Sequence, residues 1–439
     1  MGLAISSTSK AFSNNLSEIQ IQDLTHDGRG VGRDQGKACF VEGALPSERV
    51  SWSINKSHRQ YDEGIVHQVL DASADRVEPQ CQHFGQCGGC QLQHLGYSAQ
   101  VQAKTKRLQS SLAHKNIHPT TWLSPITSDP MGYRRRARFS ISAISKKHTD
   151  LQVGFKQRAS AKVLPIDHCP VLTPELNKVL PELPRLISQL SGQFNGKQQQ
   201  SLTEIEVNFD QNRTSITLLA NSAKANLTEI LPPESIQHCD IWYQAKPAEA
   251  KLLYSPSIEN KTEIPTKPPG FLQANAPVNQ KMVEQAGHLL ALSQEDHLLD
   301  LFCGAGNFSL PYVDSVAAIT GIELDDASVD QANKKAQNLD QVSFEKADLF
   351  DAKGLTALRS KFRKASVVIL DPPRAGAEAL VRELVKPKPA RIFYISCHPA
   401  TFIRDAEILK RSGYQLDSVG LVDMFPQTMH AEVMGLFTI

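Results

Sequence analysis

The stretch Leu299-Asp300-Leu301-Phe302-Cys303-Gly304-Ala305-Gly306-Asn307-Phe308 decides the fold. An apolar strand pattern runs into a glycine turn, and Gly304 and Gly306 let the backbone approach a ligand that side chains would keep away. The third glycine of a dinucleotide fingerprint is missing, because Ser309 holds its place. The turn therefore fits a nucleoside cofactor without a pyrophosphate better than a dinucleotide. Glu323 ends the next apolar run, 17 residues after Gly306, where a carboxylate can accept from both ribose hydroxyls. Asp348 follows the third run and is placed to receive an adenine amino group. Three such features in order point to S-adenosylmethionine.

Outward from this turn, apolar runs alternate with helical spacing to the carboxyl end: His297–Phe302, Ala317–Glu323, Val342–Glu345, Val367–Leu370 and Arg391–Ile395. That alternation predicts a parallel sheet wound on both faces. Val278, Met282, Val283, Ala286, Leu289 and Leu290 predict a helix before it, and Lys267-Pro268-Pro269-Gly270 marks a boundary. Open α/β sheets bind ligands outside the carboxyl ends of their strands. Two of the runs deliver reactive side chains to that edge. Val367–Leu370 leads into Asp371-Pro372-Pro373-Arg374, and Ile392–Ile395 leads into Ser396-Cys397-His398-Pro399.

A thiol beside a carboxylate in a cofactor crevice suits covalent catalysis on an electrophilic ring. Carbon 5 of uracil is a poor nucleophile towards a methyl sulfonium. Adding a thiolate to carbon 6 turns the ring into an enolate whose carbon 5 can attack. A base then removes the carbon 5 proton, and elimination frees the thiol. The thiol must be made nucleophilic, since a free cysteine near pKa ~8.5 is mostly protonated at neutral pH. Glu432, just after Thr428-Met429-His430-Ala431, is the candidate base. An enzyme that methylates an exocyclic amine would have no use for Cys397.

The amino-terminal half reads differently. From Ser17 to Val77 short strands and turns follow one another, with Val50, Trp52 and Ile54 alternating against Ser51 and Ser53. Turns are expected at Gly28–Arg33 and at Asp62-Glu63-Gly64. About five strands in so short a span predict a small closed barrel of the oligonucleotide-binding type, with Arg29, Arg33 and Lys37 available to a single strand. Farther on, Tyr133–Ser140 reads as a strand with Arg134, Arg136 and Arg138 on one face, where they would grip phosphates. Ile205–Phe209 and Ile216–Ala220 read as a hairpin.

The net charge of +1 hides a contrast. Between Cys81 and Pro170 there are 13 lysines and arginines against 3 acids, an electrostatic footprint for a polyanion. The same segment holds Cys81, Cys87 and Cys90 on a glycine-rich loop, with Cys169 downstream. Four soft ligands suit a tetrahedral zinc or an iron–sulfur cluster, and spacing does not choose between them. Eight cysteines without a signal-peptide pattern point to a reducing compartment, so a cytoplasmic protein is expected. No apolar stretch approaches the roughly 18–20 residues of a membrane span. Nothing in the chain implies a stable protein partner.

Together these motifs resemble the bacterial uracil-5-methyltransferases, and most closely their 23S ribosomal RNA branch. Asp27-Gly28-Arg29-Gly30-Val31-Gly32 and Phe40-Val41-Glu42-Gly43-Ala44-Leu45-Pro46 resemble a TRAM domain, and Phe271, Gln273 and Asn275 match the family's Phe-x-Gln-x-Asn motif. The resemblance implies a multidomain α/β protein. Residues 1–15 would be a flexible amino terminus, 16–78 an OB-like TRAM barrel and 79–268 a central α+β domain. Residues 269–439 would form a Rossmann-like methyltransferase domain. It implies that Cys81, Cys87, Cys90 and Cys169 hold a [4Fe-4S] cluster, and that Gln273, Phe302, Asn307, Glu323, Asp348 and Asp371 line the S-adenosylmethionine pocket. Cys397 would be the nucleophile, Glu432 the proton acceptor and 23S rRNA the substrate. Departures are the first fifteen residues, which have no counterpart, and Pro277, where a small residue is common. Two rival readings are the same chemistry on a tRNA uridine and a non-catalytic RNA-binding or ribosome-assembly protein with an iron–sulfur module.

Overall fold

The computed structural model describes residues 16–143, 151–191, 202–221, 230–245, 250–259, 265–268, 270 and 272–439. The expected flexible segment 1–15 and Phe271 lie outside them. The chain divides into two compact units, Met1–Ala103 with Gln427–Met429, and Lys104–Pro426 with His430–Ile439.

In the first unit, β1 (Ser17–Leu24), β2 (Gly30–Asp34), β3 (Lys37–Glu42), β4 (Arg49–Ser57) and β5 (Tyr61–Asp71) close a barrel in the order β1-β2-β3-β5-β4. The pairing of β3 with β5 is parallel and the other four are antiparallel. Alternation does its work here: Ile19, Ile21, Val41, Val50 and Trp52 fill the interior. Ile54 continues the alternation but stays exposed. The turn expected at Asp62-Glu63-Gly64 is instead the start of β5. Gly64 is needed there for closeness, because a Cβ would come within 2.1 Å of the Ser53 carbonyl and 2.6 Å of the Trp52 ring. Of the barrel cations expected to face a single strand, Arg29 is paired with Asp27 and Glu63, and Lys37 with Asp62.

The second unit contains two sheets. One runs β13-β12-β11-β10-β7-β8-β9, with β7 (Arg136–Ala143), β8 (Leu151–Lys156), β9 (Val163–Pro165), β10 (Leu202–Asp210), β11 (Arg213–Ala220), β12 (Cys239–Ala245) and β13 (Lys251–Tyr254). The expected hairpin is β10–β11. The arginine strand is real, with Ala137 and Phe139 buried on one face. Its other face is not the free phosphate grip expected of it. Arg136 and Arg138 both reach the buried Glu206, at 2.9 and 2.7 Å, and β10 lies antiparallel to β7 with Glu206 opposite Arg138.

The other sheet carries the glycine turn. It comprises β6 (Thr121–Trp122), β14 (His297–Leu301), β15 (Ala318–Glu323), β16 (Val342–Lys346), β17 (Val367–Leu370), β18 (Arg391–Ser396), β19 (Gln415–Val422) and β20 (Glu432–Thr438). The order is β16-β15-β14-β17-β18-β20-β19-β6. β14 to β18 are parallel, and β20 inserts antiparallel between β18 and β19. Every residue of β17 is buried, as a strand covered on both faces requires. Leu108, Leu112 and Ile117 pack into one of the sheet's cores together with Leu299, Val368 and Phe402. Within the same unit, Lys104 and Asp423 form a fully buried ion pair at 2.6 Å. Among the described residues no helix is long and apolar enough to cross a membrane.

Candidate active site

Strand order reverses at β14, and the carboxyl ends of β14, β15, β17 and β18 open on one cavity of about 800 Å³. All eight residues expected to bind cofactor or catalyse line it: Gln273, Phe302, Asn307, Glu323, Asp348, Asp371, Cys397 and Glu432.

The glycine turn is set by backbone geometry. Phe302, Gly304 and Gly306 have φ of 62°, 53° and 81°. The left-handed region costs a residue with a Cβ about 1–2 kcal/mol, so Phe302 stores strain beside the two glycines. At Gly306 a Cβ would also meet Leu310 at 2.8 Å. At Gly304 it would meet nothing, so that backbone faces open space. The Gly304 N–H donates to Glu323 Oε2 at 3.1 Å, while Glu323 Oε1 accepts from the N–H groups of Leu324 and Asp325. Glu323 thus joins two strand ends and keeps spare lone pairs. Asp348 accepts from the Phe350 N–H at 2.8 Å. Phe302 and Phe350 set their rings 5.5 Å apart on the same wall. Asn307 exchanges amide hydrogen bonds with Asn279. The Gln273 carbonyl accepts from Arg135 Nε. Asn275 has another job. It caps the helix Ala276–Leu290, accepting from the Val278 N–H and donating to Ser128 Oγ.

The candidate catalytic pair, Cys397 and Glu432, is placed by register. Ser396 lies opposite Val433 in the antiparallel pairing of β18 and β20, so Cys397 and Glu432 come next to each other just beyond. Their environment is acidic. Burial, with no opposing cation, pushes Glu432 up to about 7. Asp371 is held well above the usual carboxylate range by burial, then by Glu432, Asp300 and Glu323. Burial pushes the Cys397 thiol up to about 11, helped by Glu432 and Asp371 and opposed by Arg374. The free site therefore holds the thiol protonated, contrary to the activated cysteine that the chemistry requires. His398, whose ring could have taken a proton, is driven the other way by burial and by Arg374 and Arg107. Its carbonyl starts the helix Pro399–Arg411.

Sequence reasoning did not single out Asp300, Phe350 or Arg374. Asp300 is 1% exposed, burial raises it to about 7 against the opposing pull of Ser309, and no cation is paired with it among the described residues. Its place at a strand end beside the glycine turn was the available signal. Buried, uncompensated carboxyls fit a ligand that brings positive charge. A sulfonium nucleoside does so, which makes the donor set here suitable for S-adenosylmethionine.

The cysteines give a different result. Cys81, Cys87 and Cys90 belong to the first unit and Cys169 to the second. The Gly89 N–H donates to Cys87 Sγ at 3.4 Å, and the Cys81 N–H donates to Gln93. Among the described residues, no three or more His, Cys, Asp or Glu side chains are gathered as a metal site. Four thiols are a donor set suited to iron.

Sheet order, glycine turn and cavity define a Rossmann-like S-adenosylmethionine methyltransferase fold joined to a small barrel. The profile of tRNA (Uracil-5-)-methyltransferases matches residues 259–438, and that of the TRAM domain matches residues 16–66. The 23S rRNA (uracil(1939)-C(5))-methyltransferase RlmD of Marinomonas sp. is 37% identical over 440 residues, covering 96% of this chain and 94% of its own. The RlmD of Nitrosococcus oceani is 36% identical, with 98% and 97% covered. A solved tRNA (uracil-54, C5)-methyltransferase of Pyrococcus abyssi, in complex with S-adenosyl-L-homocysteine, superposes with a TM-score of 0.67 at 23% identity, covering 96% of this chain and 99% of that one. It supports the fold. The chain belongs to the RNA uracil-5-methyltransferase family that includes these 23S rRNA enzymes.

Proposed function

We propose that this protein methylates carbon 5 of a specific uridine in 23S rRNA through a covalent cysteine–uracil intermediate. The observation that carries the reading is that Cys397 and Glu432, brought together by the β18–β20 register, open on the same cavity as the glycine turn. Gln273, Phe302, Asn307, Glu323, Asp348 and Asp371 hold S-adenosylmethionine, which supplies a methyl group and a positive charge. That charge opposes the carboxyls which, after burial, raise Cys397. Cys397 adds to carbon 6 of the uracil as the thiolate, its proton having passed to solvent; after methyl transfer Glu432 takes the carbon 5 proton, the S–C6 bond breaks and the thiolate returns. A base paired in a helix cannot reach the thiol, so the target leaves its stack, most cheaply from a loop.

From the resemblance and the donor chemistry, Cys81, Cys87, Cys90 and Cys169 are the proposed ligands of a [4Fe-4S] cluster. Iron and sulfide content after anaerobic purification, compared with a Cys87→Ser variant, checks it. The domain limits 16–78, 79–268 and 269–439, and a cytoplasmic location, belong to the same proposal.

RNA carrying 5-fluorouridine tests the chemistry, because fluorine cannot leave as a proton. A stable protein–RNA adduct should form with the native enzyme and S-adenosylmethionine, and vanish in Cys397→Ala. Absence of any adduct would favour the non-catalytic reading. Mass mapping of rRNA and tRNA from a deletion strain separates the two substrates.

A further inference from the structure

Most arginines around the second unit's sheets have acidic partners. Arg135 is paired with Asp210, Arg136 and Arg138 with Glu206, Arg391 with Asp296 and Arg404 with Asp405. Arg374 differs. Its side chain is exposed, and among the described residues its guanidinium has neither an acidic nor a hydrogen-bonded partner. It does not sit on a loose loop. Thr401 Oγ1 donates to the Arg374 carbonyl at 3.3 Å, the Gly376 N–H to the Pro373 carbonyl at 2.8 Å, and the Ala377 N–H to Asp405 at 2.8 Å. Gly376 has φ of 73°, and a Cβ there would come within 2.6 Å of Arg404 and 2.8 Å of Asp405. The turn is thus pinned from behind while the guanidinium points to no protein group.

Arg374 shares the cavity wall with Cys397 and Glu432. Its field also lowers the thiol and disfavours protonation of His398 and His430, so it stands within reach of all three. An exposed cation carried on a pinned turn at the wall of a site for a nucleotide base calls for an anion that arrives with that base. A planar guanidinium can grip two phosphate oxygens at once.

We propose that Arg374 is a positioning residue that binds the phosphodiester of the target nucleotide and so sets the uracil against Cys397. This rests on the reading of the site given above. The test uses full-length enzyme and deproteinised 23S rRNA from a strain lacking it. Arg374→Gln should raise the KM for RNA about tenfold, and should lower the slope of log affinity against log salt by about one. Affinity for S-adenosylmethionine should not change. Arg374→Lys should restore the salt slope and only part of the affinity. In the free Arg374→Gln enzyme, alkylation of Cys397 by iodoacetamide should shift to higher pH, a readout that a merely structural role would not move. Unchanged KM and salt slope, with the 5-fluorouridine adduct forming normally, would overturn the proposal. So would a loss of cofactor affinity in place of RNA affinity. Failure of the native enzyme to form the adduct would instead remove the underlying reading, and this inference with it.

Discussion

The barrel and the crevice of the eight-stranded sheet treat charge in opposite ways. In the barrel unit, Lys37 is 2.6 Å from Asp62, Arg29 lies between Asp27 and Glu63, and the fully buried Glu48 receives Arg76. Glu48 is accordingly held below its usual range, Arg76 and the Leu45 N–H outweighing the desolvation that opposes them. In the crevice, Asp300, Asp371 and Glu432 have no such cation among the described residues, and all are raised. Charges that hold the fold are neutralised within the chain. Those in the crevice wait for something that the chain does not contain.

Four single substitutions, one of them also combined with a second change, probe that contrast in falling order of effect. Glu432→Gln should lower methyl transfer by about 10²–10⁴-fold and let the cysteine–RNA adduct accumulate, as read by gel shift under denaturing conditions. Glu432 accepts a proton only when ionised, so the native rate should rise with pH through about 7, and the variant should lose that limb. The stability effect has its own sign. A carboxyl raised from 4.5 to about 7 by folding favours the native state below the lower value, and that advantage is lost as pH rises through the higher.

Lys104→Met leaves Asp423 buried without its cation and should cost about 3–5 kcal/mol in urea unfolding. Adding Asp423→Leu should recover most of the loss. The crevice should behave in the reverse sense. Asp300→Asn removes a carboxyl that burial opposes, so at pH 8 it should raise stability by roughly 1–4 kcal/mol while weakening S-adenosylmethionine binding in calorimetry. A destabilised Asp300→Asn protein would mean that this acid is structural after all. Smallest of all, Arg138→Gln should change RNA affinity by less than about threefold, because Glu206 already neutralises that strand.

The same contrast explains what could be read from the chain alone. The strand runs found by apolar pattern match β14 to β18 within about one residue at each end, because buried parallel strands carry near-continuous apolar sequence. Trp52 and Val50 betrayed the barrel by alternation. The edge strand Thr121–Trp122 has two residues and no period to detect. The arginine face looked free because its partner, Glu206, is 68 residues from Arg138 and meets it only through the β7–β10 register. Local motifs located Cys397, Glu432 and the glycine turn, since each sits at a strand end. The raised thiol, the raised Asp300 and the exposed Arg374 are properties of an assembled cavity. They have no linear signature.

The antiparallel insertion of β20 beside β18 makes the hydrogen-bond ladder a ruler between two groups 35 positions apart in the chain. Residues added to the connection after β19 would leave the ruler untouched. One residue inserted inside β20 would turn its carboxylate to the opposite face of the sheet. Insertions should therefore be barred from β20 by register and from the start of the connection by packing, because Asp423 and Met424 are fully buried.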